Sequence, residues 1–189
     1  MRRLPPLDPD ALTGRQREVF DGIAQGPRGG VRGPFTALLL QPEVADRVQA
    51  LGARLRFEGT LPARLRELAV LVTAHFWGAA YEWAAHAPIA RKEGVPVAVI
   101  EAIADDRRPD FEDAGDDRDA HDAAVYDFCS ELLKTHEVGD EAYAAALDAL
   151  GPEGVVELTA LIGYYALLAM VLKTFRIEPP GDDDPGAKP

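Results

Sequence analysis

Residues 66–103 read RELAVLVTAHFWGAAYEWAAHAPIARKEGVPVAVIEAI, and this stretch decides the fold class. The helix that begins after Pro62 carries Leu65, Leu68, Ala69 and Val72 at three- and four-residue spacing, the periodicity of one helix face. Gly78 marks a corner, and a second helix from about Ala79 to Glu93 ends at Gly94, as a C-terminal cap residue would end it. Pro96 introduces a short third helix to Ala104. Three helices in so short a stretch leave no room for a sheet.

The flanks repeat the theme. Residues 10–25 form a first helix opened by an Asp or Thr cap and closed near Gly26, and GPRGGVRGP is a turn. Val44, Val48, Leu51 and Leu55 share one face of a helix that begins after QPE. Ala120 to Lys134 presents Val125, Phe128, Cys129 and Leu132, and two more helices span 140–149 and 153–175. No alternation of period two persists anywhere, so the expected fold is all-α, with about seven or eight helices. The run LTALIGYYALLAMVL, between Glu157 and Lys173, is apolar on nearly every side. It is shorter than the roughly 20 residues that span a membrane, and predicts a helix that is central or lies in a subunit interface.

A chain of 189 residues, 47% hydrophobic, predicts one domain over 1–178 with a disordered acidic tail over 179–189. The opening MRRLPPLDPD has no apolar region behind its arginines, so a cytoplasmic protein is expected. The single cysteine, Cys129, excludes an intrachain disulfide and a CxxC pair, and reads as an inert core thiol. A net charge of −12 argues against nucleic acid as a partner, because phosphate recognition rests on clustered Lys and Arg. Much of that charge sits in 104–120 and in the tail.

The chemistry-bearing residues cluster at the corner. Glu82 and His86 are four apart on a helix, so their side chains share a face. Their apolar neighbours favour a partly desolvated pair able to carry protons near neutrality. The plainer alternative is a contact that pins the helix. Glu67 lies fifteen residues before Glu82, where it either faces the same cavity or pairs with Arg64 or Arg66. His75, beside Phe76 and Trp77, either joins the site or only caps a helix end. The spacing is not that of HExxH, and no required metal is expected. GPFTALLLQPE (33–43) is either a pocket-lining loop or a segment packed on the core, and Tyr164 and Tyr165 raise the same choice.

On these residues the chain resembles the carboxymuconolactone decarboxylase family, within the alkylhydroperoxidase D-like superfamily. The resemblance rests on the Arg-Glu-Leu helix start, the Glu followed by His86, and the Gly-Val before the short helix. It is looser over 34–60 and 120–177. The peroxidase branch has a glutamate, eleven residues, CxxC, three residues and His. Here that register gives Glu67, then Ala79 and Glu82 in place of both cysteines, then His86. Thiol-dependent peroxide reduction needs a thiolate and a resolving partner, so that activity is not expected. The decarboxylase branch has a Glu four residues before the His, as here. The resemblance implies an all-helical fold, trimers or hexamers with sites near subunit contacts, and no organic cofactor.

The expected activity is a cofactor-independent lyase acting on a small cyclic or unsaturated organic acid or lactone. Glu82, His86 and Glu67 are its expected catalytic residues, with His86 delivering a proton, Glu82 orienting it or acting as base, and Glu67 in support. His75, Trp77, Tyr81, Trp83, Phe35 and Leu39 are expected to line the substrate, and Arg32 or Arg91 to hold a carboxylate. The alternatives are an isomerase, hydrolase or dehydratase using the same pair, a non-catalytic helical oligomer that binds a small ligand, and a residual peroxidase.

Overall fold

The computed structural model describes residues 2–111 and 117–179. Among them lie eight α-helices and no strand, so the all-α expectation holds. The expected disordered tail falls, from residue 180 onward, outside the described residues, as do residues 112–116 of the acidic connector. The chain divides into two compact units, 1–59 with 167–189, and 60–166.

The first unit holds a 3-10 turn at Pro9–Ala11, α1 (Gly14–Gln25), α2 (Phe35–Leu38) and α3 (Pro42–Phe57). α1 turns Val19 and Ile23 inward and is clamped to α3 by Arg15, which donates to Glu43 at 2.9 Å and Asp46 at 2.6 Å. Two details differ from the sequence reading. The 33–43 segment is not all loop, since Phe35–Leu38 make a helical turn. The buried side of α3 is Ala45, Gly52 and Leu55, whereas Val44 is 44% and Leu51 46% exposed. Ala45 and Gly52 turn inward with Leu55, so Val44 and Leu51 fall on the outer side of α3.

The second unit holds α4 (Ala63–Phe76), α5 (Ala80–Lys92), α6 (Val97–Ala104), α7 (Asp117–Thr135) and the greater part of α8 (Asp140–Phe175). α4 packs against α5, α6 and α7. Every residue from Glu67 to Ala74 on it is buried, so α4 is the central helix of this unit. The sequence reading gave α8 that place as one of two options. α8 does bury Leu158, Leu161, Tyr164 and Tyr165, but Val156, Thr159, Ala160 and Gly163 lie exposed along its outer side. Within α8 an 18-residue window has mean hydropathy 2.0 and is half buried in the fold. The two helices expected at 140–149 and 153–175 are separated within α8 by Gly151, whose φ of 66° and ψ of 173° interrupt the helix just before Pro152.

The corners are built alike. At the end of α4, Gly78 has φ 56°, Ala79 N–H donates to Ala74 O at 2.8 Å and Gly78 N–H to His75 O at 2.9 Å. This paired closure requires a left-handed residue, for which glycine carries no Cβ penalty. α6 closes in the same way, through Asp106 N–H to Ile103 O and Arg107 N–H to Ala102 O. There the left-handed residue, with φ 56°, is Asp106 instead of glycine. The loop before α4 is fastened to α8 by Glu157, whose carboxylate accepts from Thr60 N–H and Oγ1–H, each at 2.9 Å, and from Leu61 N–H at 3.3 Å.

Candidate active site

The tight corner at Gly78 folds α5 back along α4, which brings Glu67 of one helix to His86 of the next. Glu67 Oε2 lies 2.6 Å from His86 Nδ1, and Tyr165 of α8 places its hydroxyl 3.2 Å from His86 Nε2. Glu82 Oε2 lies 3.5 Å from the same Nε2. The other oxygen of Glu67 accepts from Arg66 Nε at 3.3 Å. Glu67 thus meets His86 with one oxygen and Arg66 with the other. The pair is interior: Glu67 is 2%, Glu82 5% and His86 3% exposed. The Tyr165 ring meets the imidazole edge-on at 5.1 Å and is in turn met edge-on by Tyr164 at 5.3 Å.

These distances set what the cluster can do chemically. An ionised carboxylate only accepts, so contact with Glu67 keeps the imidazole proton on Nδ1 and leaves Nε2 as the nitrogen that exchanges protons. The hydroxyl of Tyr165 and the carboxyl of Glu82 then flank the exchanging nitrogen. Glu67, expected in a supporting role, makes the shortest contact with the ring. The two carboxylates address opposite nitrogens of one imidazole, so they and His86 cannot converge on a single ion. Among the described residues no group of three His, Cys, Asp or Glu side chains is arranged to hold a metal.

The other expected residues make the following contacts. His75 turns to Asp106, with Nε2 3.3 Å from Oδ1, and its ring meets Trp83 at 6.1 Å. Trp77 and Tyr81 are half-buried beside the corner, and the indole Nε1 of Trp77 is buried without a hydrogen-bond partner among the described residues. Phe35, Leu39 and Arg32 belong to the first unit. There Phe35 and Leu39 are core residues, Phe35 beneath the Arg28 guanidinium at 4.3 Å, and Arg32 is exposed, as is Arg91 in the second unit. Ala79, in the first cysteine register, is buried at the start of α5. Cys129 is fully buried in α7, where desolvation pushes its thiol well above the ordinary range.

Residues 42–114 match the carboxymuconolactone decarboxylase family. No curated protein matches the chain in sequence. Several solved structures share its fold. A peroxidase-related protein from Ralstonia eutropha JMP134, described as having an alkylhydroperoxidase AhpD core, superimposes with a TM-score of 0.73 at 21% identity, covering 96% of this chain and 93% of its own. A putative antioxidant defence protein AhpD from Agrobacterium tumefaciens gives 0.64 at 18%, covering 80% and 100%. The debrominase Bmp8, solved as a cysteine-to-alanine variant in complex with 2,3,4-tribromopyrrole, gives 0.69 at 17%, covering 93% and 90%. At these identities the likeness is one of fold.

Proposed function

We propose that this chain, whose residues 42–114 match the carboxymuconolactone decarboxylase family and whose fold is that of alkylhydroperoxidase D-like proteins, is a decarboxylase-type lyase acting on a small cyclic or unsaturated organic acid or lactone. The observation that carries the reading is the buried relay in which Glu67 fixes the Nδ1 side of His86 while Tyr165 and Glu82 flank Nε2. The family includes enzymes that act on small molecules, and the debrominase of the same fold is one such enzyme. A relay of this composition moves protons. It has no thiol, since Ala79 and Glu82 stand in the register of the redox pair.

In the proposed reaction the bond between the substrate carboxylate and its carbon breaks, and the electron pair passes into a conjugated carbonyl as CO2 leaves. The carbon then takes a proton from Nε2–H of His86, and a solvent proton restores the imidazolium. Glu67 stabilises the ring in its charged form and Glu82 orients it or returns the proton. An isomerisation would use the same relay without loss of carbon. The test is CO2 release from a panel of unsaturated and lactone carboxylic acids, carboxymuconolactone among them, by wild type and by His86→Ala and Glu82→Gln. Release that depends on both residues supports the lyase. Turnover without CO2 leaves an isomerase, hydrolase or dehydratase, and full activity in both variants removes His86 and Glu82 from the chemistry.

The same reading includes a homo-oligomer, trimeric or hexameric. Its support is the exposed, uncharged side of α8 at Val156, Thr159, Ala160 and Gly163, an apolar surface of the kind that subunit contacts cover.

A further inference from the structure

On a different side of α4 from the Glu67 and His86 relay lies a cleft of about 420 Å³ formed with α6 and α7, a size within the range of small-ligand pockets. None of the relay residues lines it. Its apolar surface comes from Val72, Phe76, Ile103 and Leu133. Its polar wall is a ladder on α7, Tyr126, Ser130 and Lys134, four residues apart each time, which puts all three on one helix face over about 12 Å.

The Tyr126 ring packs against Phe111 at 5.7 Å, but the polar ends of the ladder find no partner among the described residues. Tyr126 is only 8% exposed, and its hydroxyl makes no hydrogen bond among the described residues; nor does the side chain of Ser130. Lys134 has no ion pair there either, although arginines 15, 17, 47, 64, 66, 107 and 108 all do. Its natural helical partner, Glu131, turns away to accept Gly139 N–H at 2.9 Å. The acid on the facing wall, Asp106, is directed at His75 by the left-handed backbone that closes α6. A buried phenol, a hydroxyl and a lone ammonium above an apolar floor form a donor set for a carboxylate that carries an apolar body.

We infer that this cleft is a second small-molecule site, independent of the proposed catalytic relay, that binds a small monocarboxylate with an aromatic or branched apolar body. The carboxylate would lie on Lys134 and Ser130, with the body over Val72 and Leu133.

The experiment titrates the full-length protein with 3-phenylpropionate and with its uncharged amide, 3-phenylpropanamide, by calorimetry and by the fluorescence of Trp83, whose ring touches His75 at the cleft wall. Wild type is expected to bind the acid about tenfold or more tightly than the amide. Lys134→Gln is expected to remove that preference while leaving the amide unchanged, and Ser130→Ala to weaken the acid severalfold. Glu82→Gln is expected to bind the acid as wild type does. Equal affinity for acid and amide, no saturable binding of either, or no effect of Lys134→Gln overturns the site. Loss of acid binding in Glu82→Gln also overturns it, because the ligand then sits at the relay. The lyase proposal can fail in the CO2 assay while this binding persists.

Discussion

Glu67 and His86, nineteen residues apart in sequence, meet at 2.6 Å in the interior of the second unit. An ionised carboxylate at Nδ1 can only accept, whereas an amide can accept or donate, so the replacement no longer fixes which ring nitrogen carries the proton. Glu67→Gln is therefore expected to lower turnover by about 10² or more while the helical circular dichroism stays that of wild type. Glu82→Gln, on the other nitrogen, is expected to cost a similar factor. Steady-state kinetics across pH on both variants checks this. Wild-type turnover in Glu67→Gln would reduce its contact with His86 to a structural one.

The Tyr165 hydroxyl lies 3.2 Å from the exchanging nitrogen. Phenylalanine keeps the edge-on packing of the ring, 5.1 Å from His86, and removes only the hydroxyl. Tyr165→Phe is expected to lower kcat about tenfold with KM little changed and a loss of stability of about 1 kcal/mol. A change in KM alone would place the hydroxyl in substrate binding instead.

The legible parts of this fold are those whose cause is local. Gly78 and Gly94 end α4 and α5 because left-handed closure is least costly for a residue without Cβ, and such residues can be found by reading along the chain. The Glu82 and His86 pair is legible for the same reason, since i and i+4 always share a helix face. Glu67 lies on the preceding helix, where spacing leaves open whether it faces the same cavity or pairs with Arg64 or Arg66. Tyr165 lies 79 residues from His86 and Asp106 lies 31 from His75, and no spacing rule joins them. On α3, Val44 and Leu51 carry the same periodicity as Leu55 yet lie outside, because periodicity ranks faces by hydrophobicity and cannot say which face a neighbouring helix will cover.

Glu157 holds the approach to α4 through Thr60 and Leu61. Removing an acceptor of two backbone N–H groups and a hydroxyl is expected to cost about 1–3 kcal/mol. Glu157→Ala should therefore unfold at a lower temperature than wild type in circular dichroism melts, with activity per folded molecule unchanged below the transition. An unaltered melting temperature would mean that water replaces the carboxylate at no cost.

Asp122 of α7 is buried with one oxygen on Arg64 and the other, Oδ1, without a partner. Desolvation raises its carboxyl above the ordinary value of 3.8 and outweighs the opposing pull of Arg64. A carboxyl with a raised folded-state value binds more protons folded than unfolded. Its contribution to stability is thus fully present below the unfolded value and lost as pH rises through the folded one. Wild type should gain stability relative to Asp122→Asn as pH falls from about 7 to about 4, read as the difference in melting temperature. A wild-type advantage that grows with rising pH would show that the ionised pair with Arg64 dominates.

Val156 stands on the outer side of α8 at 72% exposure, in line with Thr159, Ala160 and Gly163. If that side is a subunit contact, a carboxylate at Val156 must lose its water on assembly without gaining a partner, and symmetry repeats the penalty at every copy. Val156→Glu is then expected to shift the mass measured by light scattering from trimer or hexamer to monomer, with helicity retained. Val97→Glu, at a 49% exposed position on α6, supplies the comparison, because it adds the same charge away from α8 and is expected to leave the assembly intact. Dissociation by both variants would trace the effect to net charge, and dissociation by neither would take α8 out of the contact.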